Sequence, residues 1–301
     1  EDIGFTKSPT FTASRSELVA AISNMLSCNN DKEIADFISY FTLPARDRWD
    51  QKDKCLPDGY KQADWFPWNF RRRLSLISKP IVALNSDSDP LLLISPETIR
   101  EGVWYNLDNS LDGTFAETNF DSPEMKNWIG NRRNELGNKF NNTVASRLKE
   151  LGWQTKPELK FPEILNKQYK DDLGDIDVLA WSEQDQLVVA IECKDLFFAK
   201  TTKELGHQIN EFMGNDDEKG RPDRLKRHFR RLDELSQNLS GVRKFLGLSN
   251  ITEIYGLVVF SQQTILEYTP QVPKDRICFC SFDNLASPDQ LKNRLIKWAK
   301  P

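Results

Sequence analysis

Apolar positions along the chain recur at two spacings, every three to four residues or every second residue, and the two spacings mark different segments. Ser14 to Ser27 and Asp31 to Phe41 carry the helical spacing and predict two short helices. KPIVALN and PLLLISP flank SDSD, which predicts a hairpin closed by small polar residues. SPETIREGVWYNL predicts a helix with Ser95 as N-cap and Pro96 in the first turn. The same start recurs at Ser122 and Pro123, where Leu136, Phe140, Val144 and Leu148 then fall every four residues as one buried stripe. That is a long helix, with Gly130 and Gly137 as the places where it would break.

The pattern then shortens. WQTKPELKF, GDIDVLA and LVVAIECKD alternate or run apolar as strands, and a helix follows at about Lys200 to Met213. A basic helical region from Arg221 to Phe245 comes next, then the strands EIYGLVVF and RICFCSF, and a last helix started by Ser287 and Pro288. This order, with three consecutive strands and then strands separated by helices, predicts an α/β fold with a mixed sheet and helices on both faces. The polar, glycine-containing stretch DNSLDGTFAETNFDS is the expected domain boundary. It separates an α+β accessory domain over 1–118 from the α/β domain over 119–301.

Composition narrows the class without choosing a partner. The hydrophobic share of 39% and charged share of 29% are those of a globular protein, and 301 residues can bury one large core and a smaller one. A formal net charge of −4 argues against a uniformly basic nucleic-acid binder, although basic stretches survive inside the acidic total. The apolar runs are too short to cross a bilayer, so a soluble, cytoplasmic protein is expected. Cys28, Cys55, Cys193, Cys278 and Cys280 form an odd set without a C-x-x-C pair, which fits free thiols in a reducing compartment. With only His207 and His228 beside them, a soft-metal centre is not expected, and Cys278 and Cys280 read as packing residues of a strand. The start at Glu1 without an initiator Met suggests a processed product or a fragment of a longer chain.

The two central strands carry charges where a buried strand would avoid them. In GDIDVLA, Ile176, Val178 and Ala180 face one side while Asp175, Asp177 and Leu179 face the other. In LVVAIECKD, Val188, Ala190, Glu192 and Lys194 share a face that turns from apolar to charged. Pairing through the short SEQDQ turn brings Asp177 beside Glu192 and Lys194 at one end of the hairpin. Two carboxylates held close repel and lose hydration unless a positive charge lies between them. Oxygen ligands alone suit a hard cation such as Mg²⁺ or Mn²⁺, which fills its remaining positions with water and phosphate oxygens. The backbone carbonyl of Cys193 stands between the two charged residues as a further ligand, and Lys194 can orient a water or stabilise charge on a phosphate. An E-x-K triplet at a strand end is by itself common; the weight lies in the acid on the preceding strand and the helix upstream. Asp175 reads as a solvated or supporting residue, and His207 as a polar surface residue.

The Asp177, Glu192-x-Lys194 set across a hairpin, after a long helix and before another, resembles the PD-(D/E)xK, or restriction-endonuclease-like, nuclease superfamily over residues 122–283. The nearest branches are the Mrr-type and Holliday-junction-resolvase-like ones. The resemblance implies a restriction-endonuclease-like sheet, Asp177 and Glu192 as metal ligands, and Lys194 as the catalytic lysine. Glu135 in RRNELGNKF matches the helical glutamate that completes such sites, and Gln208 in KELGHQINEF matches a supporting glutamine, with Phe212 where a tyrosine is frequent. Two departures stand out: Ile176 replaces the proline before the first acid, and Glu135 lies about 100° round the helix from the Leu136 stripe.

The expected activity is metal-dependent phosphodiester hydrolysis, with DNA as the substrate class of the resembled branches and a role in defence or DNA processing. An RNase of the same fold, or a silent module that binds nucleic acid or protein, remains as the alternative. Arg224, Arg227, Arg230 and Arg231 form a stripe that would neutralise phosphates, and a solvated helix face would look the same. Trp65, Phe66, Trp68 and Phe70, followed by Arg71, Arg72 and Arg73, could stack on unpaired bases or simply build core. Further domains, other subunits and a second copy of the chain stay open as partners.

Overall fold

A computed structural model describes residues 10–27, 30–45, 76–115, 122–167, 173–196, 202–217, 220–269 and 277–298. The tryptophan-rich run through Trp65 to Arg73, with Cys28 and Cys55, lies outside the described residues. The chain divides into two compact units, Glu1–Arg133 and Asn134–Pro301.

In the first unit, strands β1 (Phe11–Ser14), β2 (Thr42–Leu43), β3 (Ile81–Ala83) and β4 (Leu91–Ile94) form a mixed sheet in the order β1-β4-β3-β2. Helices α1 (Arg15–Leu26), α2 (Asp31–Phe41) and α3 (Pro96–Leu111) accompany it. Alternation along β4 sends Leu92 and Ile94 inward, onto Ile34, Ile38, Phe41, Ile81 and Ala83. The expected hairpin is β3 with β4, paired antiparallel, and the Asn85 side chain accepts from the Leu91 N–H at 2.9 Å to close it. Ser14 caps α1 through a full capping box with Glu17, whereas Ser95 stands at the N-cap of α3 without its hydroxyl making a cap bond.

Helix α4 (Pro123–Glu150) runs unbroken through Gly130 and Gly137, both of which face open space. The helix carries the division between the units. Its first turns belong to the first unit, where Trp128, Arg132 and Arg133 donate to the carbonyls of Ser110, Leu111 and Gly113.

The second unit holds β5 (Gln154–Lys160), α5 (Phe161–Leu165), β6 (Asp175–Ser182), β7 (Leu187–Lys194), α6 (Thr202–Asn210), α7 (Arg224–Gln237), α8 (Leu239–Leu246), β8 (Ile254–Phe260), β9 (Ile277–Ser281) and α9 (Pro288–Trp298). Its sheet is mixed and five-stranded, in the order β5-β6-β7-β8-β9, with the first two pairings antiparallel and the last two parallel. Both faces are covered, so the central strands are apolar on both sides. Val144, Ala145 and Leu148 of α4 pack with Val178, Ala180, Val189 and Ile191 on one face, where Cys278 and Cys280 also lie. Leu225, Leu232 and Leu235 of α7 pack with Leu179, Ala190 and Val258 on the other. Cys193, Cys278 and Cys280 are free thiols and buried. No helix among the described residues is long and apolar enough to cross a membrane.

One face assignment changes. Ile176, expected with Val178 and Ala180, packs with Leu159, Phe161 and Leu179 instead. The cause is local: Glu158, across from Asp177 in the β5–β6 pair, has a left-handed φ of 55°, and regular alternation fails there.

Candidate functional site

The charged end of the β6–β7 hairpin is a break in the sheet. Register pairs run from Ser182↔Leu187 to Val178↔Ile191 and stop. One residue further, the Asp177 side chain takes over, its Oδ2 accepting the Cys193 N–H at 2.7 Å. A backbone donor that the ladder leaves unpaired is thereby satisfied by a carboxylate. Beyond it, β7 is held on its other side by β8, and the Lys194 carbonyl accepts the Ser261 N–H at 3.0 Å.

Around this break the structure brings together the three residues the hairpin spacing predicts. Lys194 Nζ lies 2.6 Å from Glu192 Oε1 and 4.0 Å from Asp177 Oδ2. The Glu192 side chain is 8% exposed, the Asp177 side chain 22%. Asp175 is exposed at the start of β6 and stands apart from the cluster's contacts. Cys193 packs in the core with Val178, Ala180 and Ile191 while its N–H binds Asp177.

Two members come from α7 and were not assigned to this site from the sequence. The Arg231 guanidinium binds Glu192 Oε2 through Nη1, and its Nε donates to the Leu173 carbonyl at 2.7 Å. Gly174 makes room for it, since a Cβ there would sit 2.6 Å from Arg231 Nη2, and its φ of +73° also favours glycine. His228, one turn earlier and buried, places Nδ1 3.9 Å from Glu192 Oε2. Helix α7 can come this close because it crosses β8 at Gly256, where a Cβ would meet Leu232 at 2.6 Å and Ile277 at 2.7 Å. Arg231, expected in the phosphate-facing stripe, thus has its guanidinium on Glu192. Of the remaining basic stripe, Arg224 pairs with Glu211 at 3.3 Å, while Arg227 and Arg230 are exposed.

The charges are shared unevenly. Burial pushes both carboxyls up, but on Glu192 the Lys194 and Arg231 cations outweigh it and hold the carboxyl down at about 2. Asp177 is raised to about 6, first by burial and then by the neighbouring Glu192 charge, because the cations sit on its partner and only partly on itself. Burial lowers His228 to about 4, so it is neutral at pH 7 and the Glu192 charge rests on Lys194 and Arg231.

Glu135 and Gln208 stand differently. Glu135 is exposed on α4, whose buried residues Val144, Ala145 and Leu148 pack on the face opposite α7. Among the described residues no three acidic, histidine or cysteine side chains converge closely enough to hold a metal, so Glu135 does not join Asp177 and Glu192 in such a group. Gln208 is half-buried on α6, and Phe212 beyond it is core, stacked edge-on against Phe260 at 5.6 Å.

The two carboxylates are oxygen donors of the type a hard divalent cation takes, and Asp177 carries fewer cation contacts than Glu192. As it stands, the arrangement is a buried ion cluster of two acids and two bases at the end of a hairpin.

No curated protein and no solved structure matches the chain. A family model described as Anti-phage protein Upx-like matches residues 1–279, which takes in both units as far as β9. The defence role expected from the sequence is thus supported, and the chain belongs to the Upx-like family of anti-phage proteins.

Proposed function

We propose that this defence protein is a metal-dependent nuclease whose site is Asp177, Glu192 and Lys194, acting on DNA. The observation that carries the reading is the opening of the β6–β7 ladder at Asp177, where two acids and a lysine converge on one strand end. Asp177, Glu192 and the Cys193 carbonyl would hold Mg²⁺ or Mn²⁺. Such an ion supplies a Lewis acid for the developing phosphate charge and a more acidic water. Lys194, already within reach of both acids, orients the attacking water and offsets negative charge as the phosphodiester is attacked. Arg227 and Arg230, exposed on α7, supply cations for the backbone of a bound strand.

A second reading is favoured by one observation. Both Glu192 oxygens are engaged by cations, as in a structural ion cluster of a module that binds nucleic acid or protein without cleaving it. Incubation with supercoiled plasmid, single-stranded DNA and RNA, each with Mg²⁺, Mn²⁺ or chelator, separates these readings. Metal-dependent cleavage of DNA that disappears in Asp177→Asn is expected. Cleavage of RNA alone would change the substrate class, and silence on all three with every metal would favour the binding module.

A further inference from the structure

The pairing at Glu192 bears on how a cation enters. Its Oε1 is bound by Lys194 at 2.6 Å and its Oε2 by Arg231, so a metal taking either oxygen must share it with a cation or displace that cation. The two cations are held differently. Lys194 sits between the acids, 4.0 Å from Asp177, and stays useful to a loaded site. Arg231 reaches Glu192 with Nη1, and a second contact, from Nε to the Leu173 carbonyl, is independent of the acid. The notch at Gly174 holds the rest of its guanidinium. It is therefore anchored to the backbone whether or not Glu192 is bound.

We propose that Arg231 is a built-in competitor of the divalent cation, neutralising Glu192 in the metal-free chain and yielding the Oε2 atom when the cation arrives. The inference rests on the metal reading of the site. The physical reason is that a buried carboxylate left without a counter-charge is costly, and a second cation a few ångström from a divalent ion is repelled by it. Arg231 thus keeps the unloaded site stable and lowers its affinity for metal, so that loading requires a higher concentration of the ion. The rest of the ion cluster is unchanged by the exchange, because Lys194 remains with Asp177 and Glu192.

The test is calorimetric titration of the full 301-residue chain with Mn²⁺ alone, without nucleic acid, for the wild type, Arg231→Gln and Arg231→Lys. Removal of the charge in Arg231→Gln should tighten Mn²⁺ binding about tenfold or more, while the metal-free variant melts at a lower temperature in chelator. Arg231→Lys keeps the charge but loses the Leu173 anchor, and should fall between the two. It also serves as the reading if the glutamine variant fails to fold. Unchanged or weaker Mn²⁺ binding in a folded variant would make Arg231 a structural clamp and overturn the proposal while leaving the metal site intact. Absence of Mn²⁺ binding in all three chains would remove the metal reading itself, and the competition with it.

Discussion

Replacing Asp177 by Asn tests the unevenness of the ion cluster, because it keeps an acceptor for the Cys193 N–H and removes only the charge. In the folded chain the carboxyl is raised from 3.8 to about 6, by burial first and by Glu192 second. The folded state therefore binds more protons than the unfolded state between about pH 4 and pH 6. For a raised acid, stability is highest below the unfolded value and is lost as pH rises through the folded one. A shift of this size corresponds to about 3 kcal/mol, and the partial exposure of the side chain brings the expected effect to about 2 kcal/mol. Glu192 does not confuse the window. Held down at about 2 from 4.5, it contributes stability above 4.5 that is lost only as pH falls toward 2. Denaturant unfolding in chelator should show Asp177→Asn more stable than wild type by about 2 kcal/mol at pH 7, with the difference closing by pH 4. A variant less stable at pH 7, or a difference independent of pH, would mean that Asp177 is a favourable structural ion and would refute the reasoning.

Other perturbations reach the same cluster from different sides. The affinity of the metal-free chain for Mn²⁺ should fall as pH drops below about 6, by about tenfold per unit, as Asp177 takes up a proton; a flat calorimetric profile between pH 7 and 5 would exclude Asp177 as a ligand. Glu192→Gln leaves Lys194 and Arg231 facing each other without their shared anion, and should cost about 3 kcal/mol at pH 7 in denaturant unfolding. Gly256→Ala forces a methyl within 3 Å of Leu232 and Ile277, and should cost about 1–3 kcal/mol in thermal unfolding as α7 shifts off the sheet.

The hairpin and the charged cluster at its end were legible in the sequence because they depend on strand alternation and a short turn, which are local. Asp177, Glu192 and Lys194 meet as the spacing requires. The order of strands and helices likewise predicted a mixed sheet covered on both faces. What could not be read locally is the rotation of α7 about its axis, which is set by close packing at Gly256 and decides that Arg231 points at Glu192. A trace of it exists: Leu225, His228, Leu232 and Leu235 fall at helical spacing, so a histidine lies within the buried stripe and Arg231 flanks it. The arginine stripe therefore held two populations, one side facing solvent and one facing a carboxylate. Ile176 escaped prediction for another reason, since period-two alternation assumes regular backbone and Glu158 beside it is left-handed. The break expected at Gly130 or Gly137 did not occur, and glycine weakens a helix by only about 1 kcal/mol.

The most direct test of the nuclease account is Lys194→Met, which removes a cation that is not itself a ligand. Plasmid cleavage and Mn²⁺ calorimetry should be measured on the same preparation of wild type and variant. The account predicts that metal binding is retained while cleavage falls by about a hundredfold or more, as expected for loss of a group that positions the attacking water and offsets transition-state charge. Full cleavage in the variant, with metal still bound, would contradict it.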